Sequence, residues 1–448
     1  MLGHKELKRI ADRILKGSSA DQTEVSLSHK TEYLTRFAAN TVHQNVAETN
    51  TTVRVRAVIG RRTGVASGNQ VDDASLTKLT AAAERFARLQ PDTPEFTSLP
   101  EPATATPAAA FVEATAACSP ERRADGAAAI IDHARIEGLQ ASGAFSTEAQ
   151  EVYVGNSLGV DAYHPFTVSR LLTVVMGDSG SGSASEAALD VNRLDPQAIG
   201  RVAVDKALRS RNPSDIEPGD YTVLLEEDAV ADMLFFLGWM GLGALSLQER
   251  RSFLAGRLGE RVTGENITLW DDGNDPRTIP FPFDFEGCPR QKVMLIEQGV
   301  AKGVVYDSFT AGREPERTST GHSLPAPNTM GPVPAHLFLS PGETTKEEML
   351  AATDRGIWVT RFHYTNPVHP VKTVLTGMTR DGTFLIENGR LTRPLKNLRF
   401  TQSILDALCG TDMLGNTLKL HKVGFGPFAV CAPAIRVKAF TFTGTTQF

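Results

Sequence analysis

The 448-residue chain has little of what marks a membrane, secreted or nucleic-acid-binding protein. It has no run of five or six basic residues, and its net charge of −6 gives no general attraction for phosphate backbones, which argues against nucleic acid as a partner. Its four cysteines, Cys118, Cys288, Cys409 and Cys431, form no Cys-x-x-Cys pair, which argues against a zinc cluster or a thioredoxin-like motif and for reduced, buried thiols. The N-terminus, MLGHKELKRIADRIL, lacks the apolar core of a signal peptide and implies a cytoplasmic protein. The glycine- and serine-rich stretch 177–186 lacks the terminal Gly-Lys-Ser/Thr of a phosphate-binding loop and reads as a flexible surface loop. One apolar stretch stands out, sixteen uncharged residues from Met233 to Gln248. It is shorter than the roughly 20 apolar residues that cross a bilayer, and glycines interrupt it. The reading is therefore a buried helix, with Glu226, Glu227 and Asp228 at its positive N-terminal end, and no membrane.

Composition is ordinary for a globular chain, 41% hydrophobic and 22% charged, and the length suggests two domains. Leu7, Ile10, Ala11, Ile14 and Leu15 share one face of a helix over 5–16. Alternating segments over 23–40 and 51–68 read as strands, and Asp72 and Asp73 start a second helix. Residues 91–107, with five prolines, form an extended connector. Ser119-Pro120 opens a helix to Glu137, strands follow near 139–154 and 165–177, and Asp195-Pro196 opens a helix to about Arg211. The recurring order of helix, strands and helix suggests an internal duplication. Turn formers over 211–221 place a boundary there, giving domains 1–215 and 216–448. Beyond it come many short strands, with Asn388-Gly389 suited to a type I′ hairpin turn. The fold class is α+β: an N-terminal α/β domain, then a mostly antiparallel β domain with a buried helix.

Seven stretches, in order, resemble the TldD/PmbA family of peptidase-related proteins: 60–72, 154–163, 218–234, 281–311, 318–329, 339–350 and 382–408. The resemblance implies a cytoplasmic proteolytic assembly of two related subunits. One type carries His-Glu-x-x-x-His on the helix after the strand at 218–223, where two imidazoles one turn apart hold zinc and the glutamate takes a proton from the bound water. The other type lacks that motif. Here the helix reads Ala229 to Met240 without histidine, and no histidine occurs between His164 and His322. The helix is thus expected to be pure packing, without metal ligands or catalytic residues.

The implied role is that of the TldE/PmbA-type, non-catalytic half, paired with a TldD-like, zinc-bearing subunit and holding an unfolded peptide. The segment Thr318, Ser319, Thr320, Gly321 and His322 is expected to line the peptide groove, by its match to a family stretch. Two alternatives stand beside this: a homodimeric peptide-binding scaffold, and an active metallopeptidase assembled from His322, His363 and acids. His363 and His369 lie six apart in a proline-containing loop and read as ordinary loop histidines. Neither Gly-Asn-Ser nor Gly-His-Ser reads as the strand-to-helix nucleophile elbow of a hydrolase. Asp271-Asp272 and the Phe-Asp-Phe-Glu-Gly stretch read as Asx-type turns.

Overall fold

A computed structural model describes residues 1–423 and 426–445; residues 446–448, the end of the expected second domain, lie outside the described residues. The first part of the chain is α1 (His4–Gly17), β1 (Gln22–Ala38), β2 (Thr41–Ile59), β3 (Arg62–Gly68) and α2 (Asp73–Leu89). After the proline-rich connector and the one-turn α3 (Glu113–Ala116), the order repeats as α4 (Pro120–Ile136), β4 (Gln140–Asn156), β5 (Asp161–Met176), β6 (Ser181–Ala188) and α5 (Pro196–Arg209). The helices start where the sequence places their caps. Asp72, Ser119 and Asp195 each accept a bond from the backbone N–H three residues on.

The two units join into one sheet of order β3-β2-β1-β4-β5-β6, antiparallel throughout, with β1 and β4 paired at its centre. The duplication is thus present as topology. The stretch expected to be a flexible loop is instead β6 from Ser181 onward. Its small side chains let α5 lie against the strand, and a Cβ on Gly182 would meet the Ala203 carbonyl at 2.2 Å.

Beyond residue 218 come two further sheets. One has the order β10-β9-β8-β11-β18-β17, made of β8 (Leu269–Asp271), β9 (Val293–Glu297), β10 (Val300–Ala301), β11 (His336–Leu339), β17 (Lys419–Lys422) and β18 (Ala429–Ala432). The other contains β7 (Gly219–Leu225), β12 (Arg355–His369), β13 (Val374–Glu387), β14 (Arg390–Pro394), β15 (Leu398–Ser403), β16 (Thr411–Leu414) and β19 (Ile435–Thr445). Because β12 pairs with both β7 and β13, the path β12-β7-β19-β15-β13 closes on itself as a small barrel. Asn388 and Gly389 both have positive φ, 51° and 73°, as the type I′ turn between β13 and β14 requires.

The apolar stretch is two helices, not one. α6 (Glu227–Gly241) ends before Leu242, and a separate short helix, Ala244–Gln248, follows Gly243. Gly243 cannot carry a side chain, since its Cβ would stand 1.9 Å from the Pro332 carbonyl oxygen. Met233, Leu234, Leu237 and Met240 are buried in a core shared with strands of both later sheets. The remaining stripe of α6, Asp232, Phe235, Phe236 and Trp239, is only half-buried or exposed. No helix among the described residues is long and apolar enough to cross a membrane.

The N-terminal sheet is buried on both faces near its centre. Tyr153 packs toward α1 and α2, whereas its neighbours Val152 and Val154 pack with Phe166 and Val168 against Phe281, Phe283 and Phe285. Beside these rings, Arg56 Nη2 bonds Glu24 Oε2 at 2.6 Å and Glu286 Oε1 at 3.0 Å, one guanidinium between two buried carboxylates. Burial, with Glu286 nearby, outweighs Arg56 and pushes the Glu24 carboxyl up to about 7.

For an acid whose pKa is raised on folding, the folded state keeps its proton where the unfolded state has lost it, so stability falls as pH rises between the two values. From the ordinary 4.5 to about 7, Glu24 removes on the order of 3 kcal/mol. Glu24→Gln imitates the protonated form, so urea-unfolding midpoints of the variant measured from pH 5 to 8 are expected to decline less steeply than those of the parent chain. Asp284, pushed to about 7 by burial, keeps part of the slope in both proteins. Parallel profiles would refute the assignment.

Candidate functional site

The strand β7 feeds α6 through Glu226 alone, whose N–H donates to the Val359 carbonyl at 3.0 Å. The helix start is therefore fixed on the barrel. Glu227 and Asp228 open the helix, and Asp232 follows one turn later. The expectation of a purely packing helix is corrected along one stripe, where Asp232, Phe235, Phe236 and Trp239 are half-buried or exposed. None of the three N-terminal acids makes a side-chain cap bond.

Each of those acids meets a lysine from a different element. Lys206 of α5 reaches Glu226 Oε2 at 2.7 Å, while Trp358 Nε1 donates to Glu226 Oε1 at 2.7 Å. Lys346, at the start of the short helix Lys346–Ala351, reaches Glu227 Oε1 at 3.0 Å. Lys419 of β17 comes within 2.8 Å of Asp228 Oδ1, and His421 Nδ1 lies 3.3 Å from the same oxygen. Burial opposes charge on Asp228, but Lys419 and His421 hold its carboxyl far below the usual carboxylate range. Asp232 moves the other way, raised by burial. Over these pairs runs a groove of about 770 Å³ between β6 and β17. A second, smaller cavity of about 230 Å³ lies along the open stripe of α6, between Phe235, Trp239, Leu324 and Met330.

The donor set at α6 does not fit zinc. Structural and catalytic zinc sites draw on thiolates and neutral imidazoles, and the helix offers neither. Ammonium and imidazole groups already crowd the Asp228 oxygen that would have to face a cation. Another set, Asp284, Glu286 and Cys288, has its ligand atoms within 4.8 Å of one another. Its oxygens are committed: Asp284 accepts from the backbone N–H groups of Glu286, Cys288 and Ser323, and Glu286 from Arg56 and the Ser308 N–H. The turn expected at Phe-Asp-Phe-Glu-Gly is present, with a buried ion pair added to it.

In the segment expected to line a groove, Thr318 is exposed, Ser319 and Thr320 are half-buried, and Gly321 and His322 are buried. The His322 ring is closed off, so it lines no open groove. Its Nε2 lies 2.8 Å from Asp271 Oδ1 and its Nδ1 2.9 Å from Thr320 Oγ1, while Asp271 Oδ2 accepts the His336 backbone N–H at 2.6 Å. Burial lowers the His322 pKa, and despite its own burial Asp271 is held down to about 2 by His322. The two side chains form a buried hydrogen-bonded pair in which the Asp271 carboxylate accepts from the imidazole. Thr320 Oγ1 also accepts the Tyr306 N–H at 2.8 Å and lies 3.1 Å from the Tyr306 carbonyl, so this Thr-His-Asp chain pins a loop instead of presenting a nucleophile. Contrary to the turn expected at Asp271-Asp272, Asp271 sits in β8, and Asp272 alone forms the Asx turn, accepting the Asn274 N–H.

The remaining candidates stay apart. His363 lies against Tyr364 on β12 with the two rings tilted by 60°, and exposed His369 accepts the Lys372 N–H at 3.3 Å. No hydrogen bond or ion pair among the described residues joins either to His322. Gly155 to Gly159 spells Gly-x-Ser-x-Gly, yet it links two antiparallel strands, and Ser157 Oγ accepts the Thr23 N–H at 3.0 Å.

Comparison with known proteins places these features in a family. Residues 23–87 match the PmbA/TldA metallopeptidase domain 1, residues 100–211 its central domain and residues 218–444 its C-terminal domain. The crystal structure of TldE from Thermococcus kodakarensis superimposes with a TM-score of 0.89 at 20% identity, covering 98% of this chain and 99% of that one. The metalloprotease TldD homolog of Haemophilus influenzae is 24% identical over 427 residues, 88% of this chain and 86% of that protein. The uncharacterized protein MJ0231 of Methanocaldococcus jannaschii is 34% identical over 183 residues, 41% of this chain and 43% of that relative's length.

The loop-pinning role of the buried pair has a direct test. In Asp271→Asn the amide oxygen can serve one N–H donor, but the amide nitrogen then faces the other. One buried donor is left unsatisfied, at about 1–3 kcal/mol, besides the lost charge. Urea unfolding is expected to show a lower midpoint at pH 7, and an unchanged midpoint would remove the pair from the structural account.

Proposed function

Because the chain belongs to the PmbA/TldA metallopeptidase family, we propose that it is the non-catalytic, TldE/PmbA-type subunit of a two-component cytoplasmic metalloprotease acting on unfolded peptides. The observation that carries this reading is the start of α6. Where the catalytic type carries His-Glu-x-x-x-His on this helix, α6 has no histidine, and its opening acids Glu227 and Asp228 are tied to Lys346 and Lys419. A carboxylate held by an ammonium cannot take a proton from a metal-bound water, and a cation would have to displace the lysine first. The zinc and the hydrolysis belong, on this reading, to a TldD-like partner. This chain closes the chamber and holds the peptide in place.

The test is co-expression with a related subunit that has an intact His-Glu-x-x-x-His. The pair is expected to cleave an unfolded peptide in a chelator-sensitive way, and this chain alone is expected to cleave nothing and to hold far less than one zinc per chain by elemental analysis. Stoichiometric zinc together with cleavage by the lone chain would overturn the proposal.

A further inference from the structure

The smaller cavity, along the open stripe of α6, is built from fixed parts. Leu337 of β11 and Val430 of β18, each 2% exposed, line its base, and Phe235 and Gly238 of α6 line one wall. The opposite wall is a strap over 324–334. Its start is held by the His322–Asp271 pair and by the Ser323 N–H, which donates to Asp284 Oδ2 at 2.8 Å. Toward its end Pro332 lies against Gly243, where no side chain fits, and Gly331, with φ of 76°, lies against Leu245, leaving a Cβ only 2.4 Å. Between these anchors Met330 stands 50% exposed beside Trp239, itself 45% exposed. Trp239 Nε1 donates to Met330 Sδ at 3.3 Å across the mouth.

Among the described residues that line the cavity, none is ionisable. A bound water needs two to four polar partners, and an apolar cavity of about 150 Å³ stays dry and takes up one aromatic ring. At about 230 Å³ this cavity has room for a ring and the carbon that carries it. Clefts that enclose whole metabolites run to roughly 300–1,000 Å³ and orient their ligands with a few placed polar groups, which this lining lacks. The fitting occupant is therefore one apolar group whose parent molecule stays outside. The mouth suits such a guest, because a thioether re-packs around an entering ring and makes favourable sulfur–aromatic contacts.

We propose that this cavity seats an aromatic side chain of an unfolded polypeptide and so gives the chain a preference among peptides. A folded partner is a poorer match. A stable interface between folded chains buries roughly 800 Å² on each side, and one half-exposed indole with one thioether falls far short of that. A flexible chain can place a single residue here. Phenylalanine fills the space, alanine is too short to reach the base, and lysine would bring a charge among side chains that offer no counter-ion. This use of the cavity rests on the peptide-holding role proposed above for the class of ligand, and it adds which side chain is preferred.

The experiment uses the full chain alone, titrated into three fluorescein-labelled peptides and followed by fluorescence anisotropy. The peptides differ only at one central residue, which is phenylalanine, alanine or lysine. The phenylalanine peptide is expected to bind about tenfold or more tighter than either of the others, as burial of a side chain of that size implies. In Trp239→Ala, which takes away one side of the mouth, the preference is expected to shrink to about threefold or less. Circular dichroism and a urea midpoint report whether the variant folds; should it not, the ranking by the parent chain decides. Equal binding of the three peptides, no binding of the phenylalanine peptide by the parent chain, or a ranking that a folded Trp239→Ala leaves intact would overturn the proposal. Failure of the subunit reading would appear elsewhere, as absent cleavage with a partner, so the two failures are separable.

Discussion

Three carboxylates stand side by side where β7 turns into α6, and the surrounding structure supplies three ammonium groups to match them. Glu226, Glu227 and Asp228 cannot share one cation at that spacing, so Lys206, Lys346 and Lys419 come from α5, from a short helix between β11 and β12, and from β17. These pairs are partly buried, so little of their strength is net stability. What they fix is position. Removing any one lysine would leave an acid without its ammonium group, and at Asp228 burial already penalises charge. The arrangement therefore ties a helix of the N-terminal sheet layer and an edge strand of the second sheet to the same turn of α6.

That tie works only because the two parts of the chain are held in register by an apolar joint. Phe281, Phe283 and Phe285 form a ladder of rings, 5.1 Å from the first to the second and 5.7 Å from the first to the third, on the far face of the N-terminal sheet. His164 adds a bond from Nε2 to the Pro280 carbonyl at 2.8 Å, and burial lowers its pKa to about 4, so the ring is neutral there. With β4 and β5 seated on this ladder, β6 and α5 overhang the start of α6. The groove is what remains between two sheets that meet at one joint and stay apart at their edges.

Much of this was legible in the residues. Caps at Asp72, Ser119 and Asp195, the Asn388-Gly389 turn and the alternation of β1, β2, β4 and β5 are local features, decided by a few neighbouring side chains. The family could be named because its stretches keep their order. What was not legible depends on distant partners. Asp271 reads as a turn residue until His322, fifty-one positions away, is seen to donate to it. The strand β6 reads as a loop because serine, glycine and alanine carry no β signal; it is a strand because α5 can lie on it only where side chains are small. At the start of α6 the acids are visible in the sequence but their lysine partners are not, since these lie 20 to 191 residues away for Glu226, Glu227 and Asp228.

The same chemistry bears on how such a helix could change its role. Exchanging Glu227 and Asp232 for histidine would not by itself restore a zinc site. Lys419 and His421 would still converge on Asp228, and the positive charge that now balances that carboxylate would repel a divalent cation. Conversely, removing Lys419 alone would leave three acids and one imidazole, a set with a single nitrogen donor of the kind zinc favours. Ligand identity and counter-charge must change together, and the counter-charges sit on elements that also form the walls of the groove. A helix start balanced in this way is committed to holding its surroundings in place.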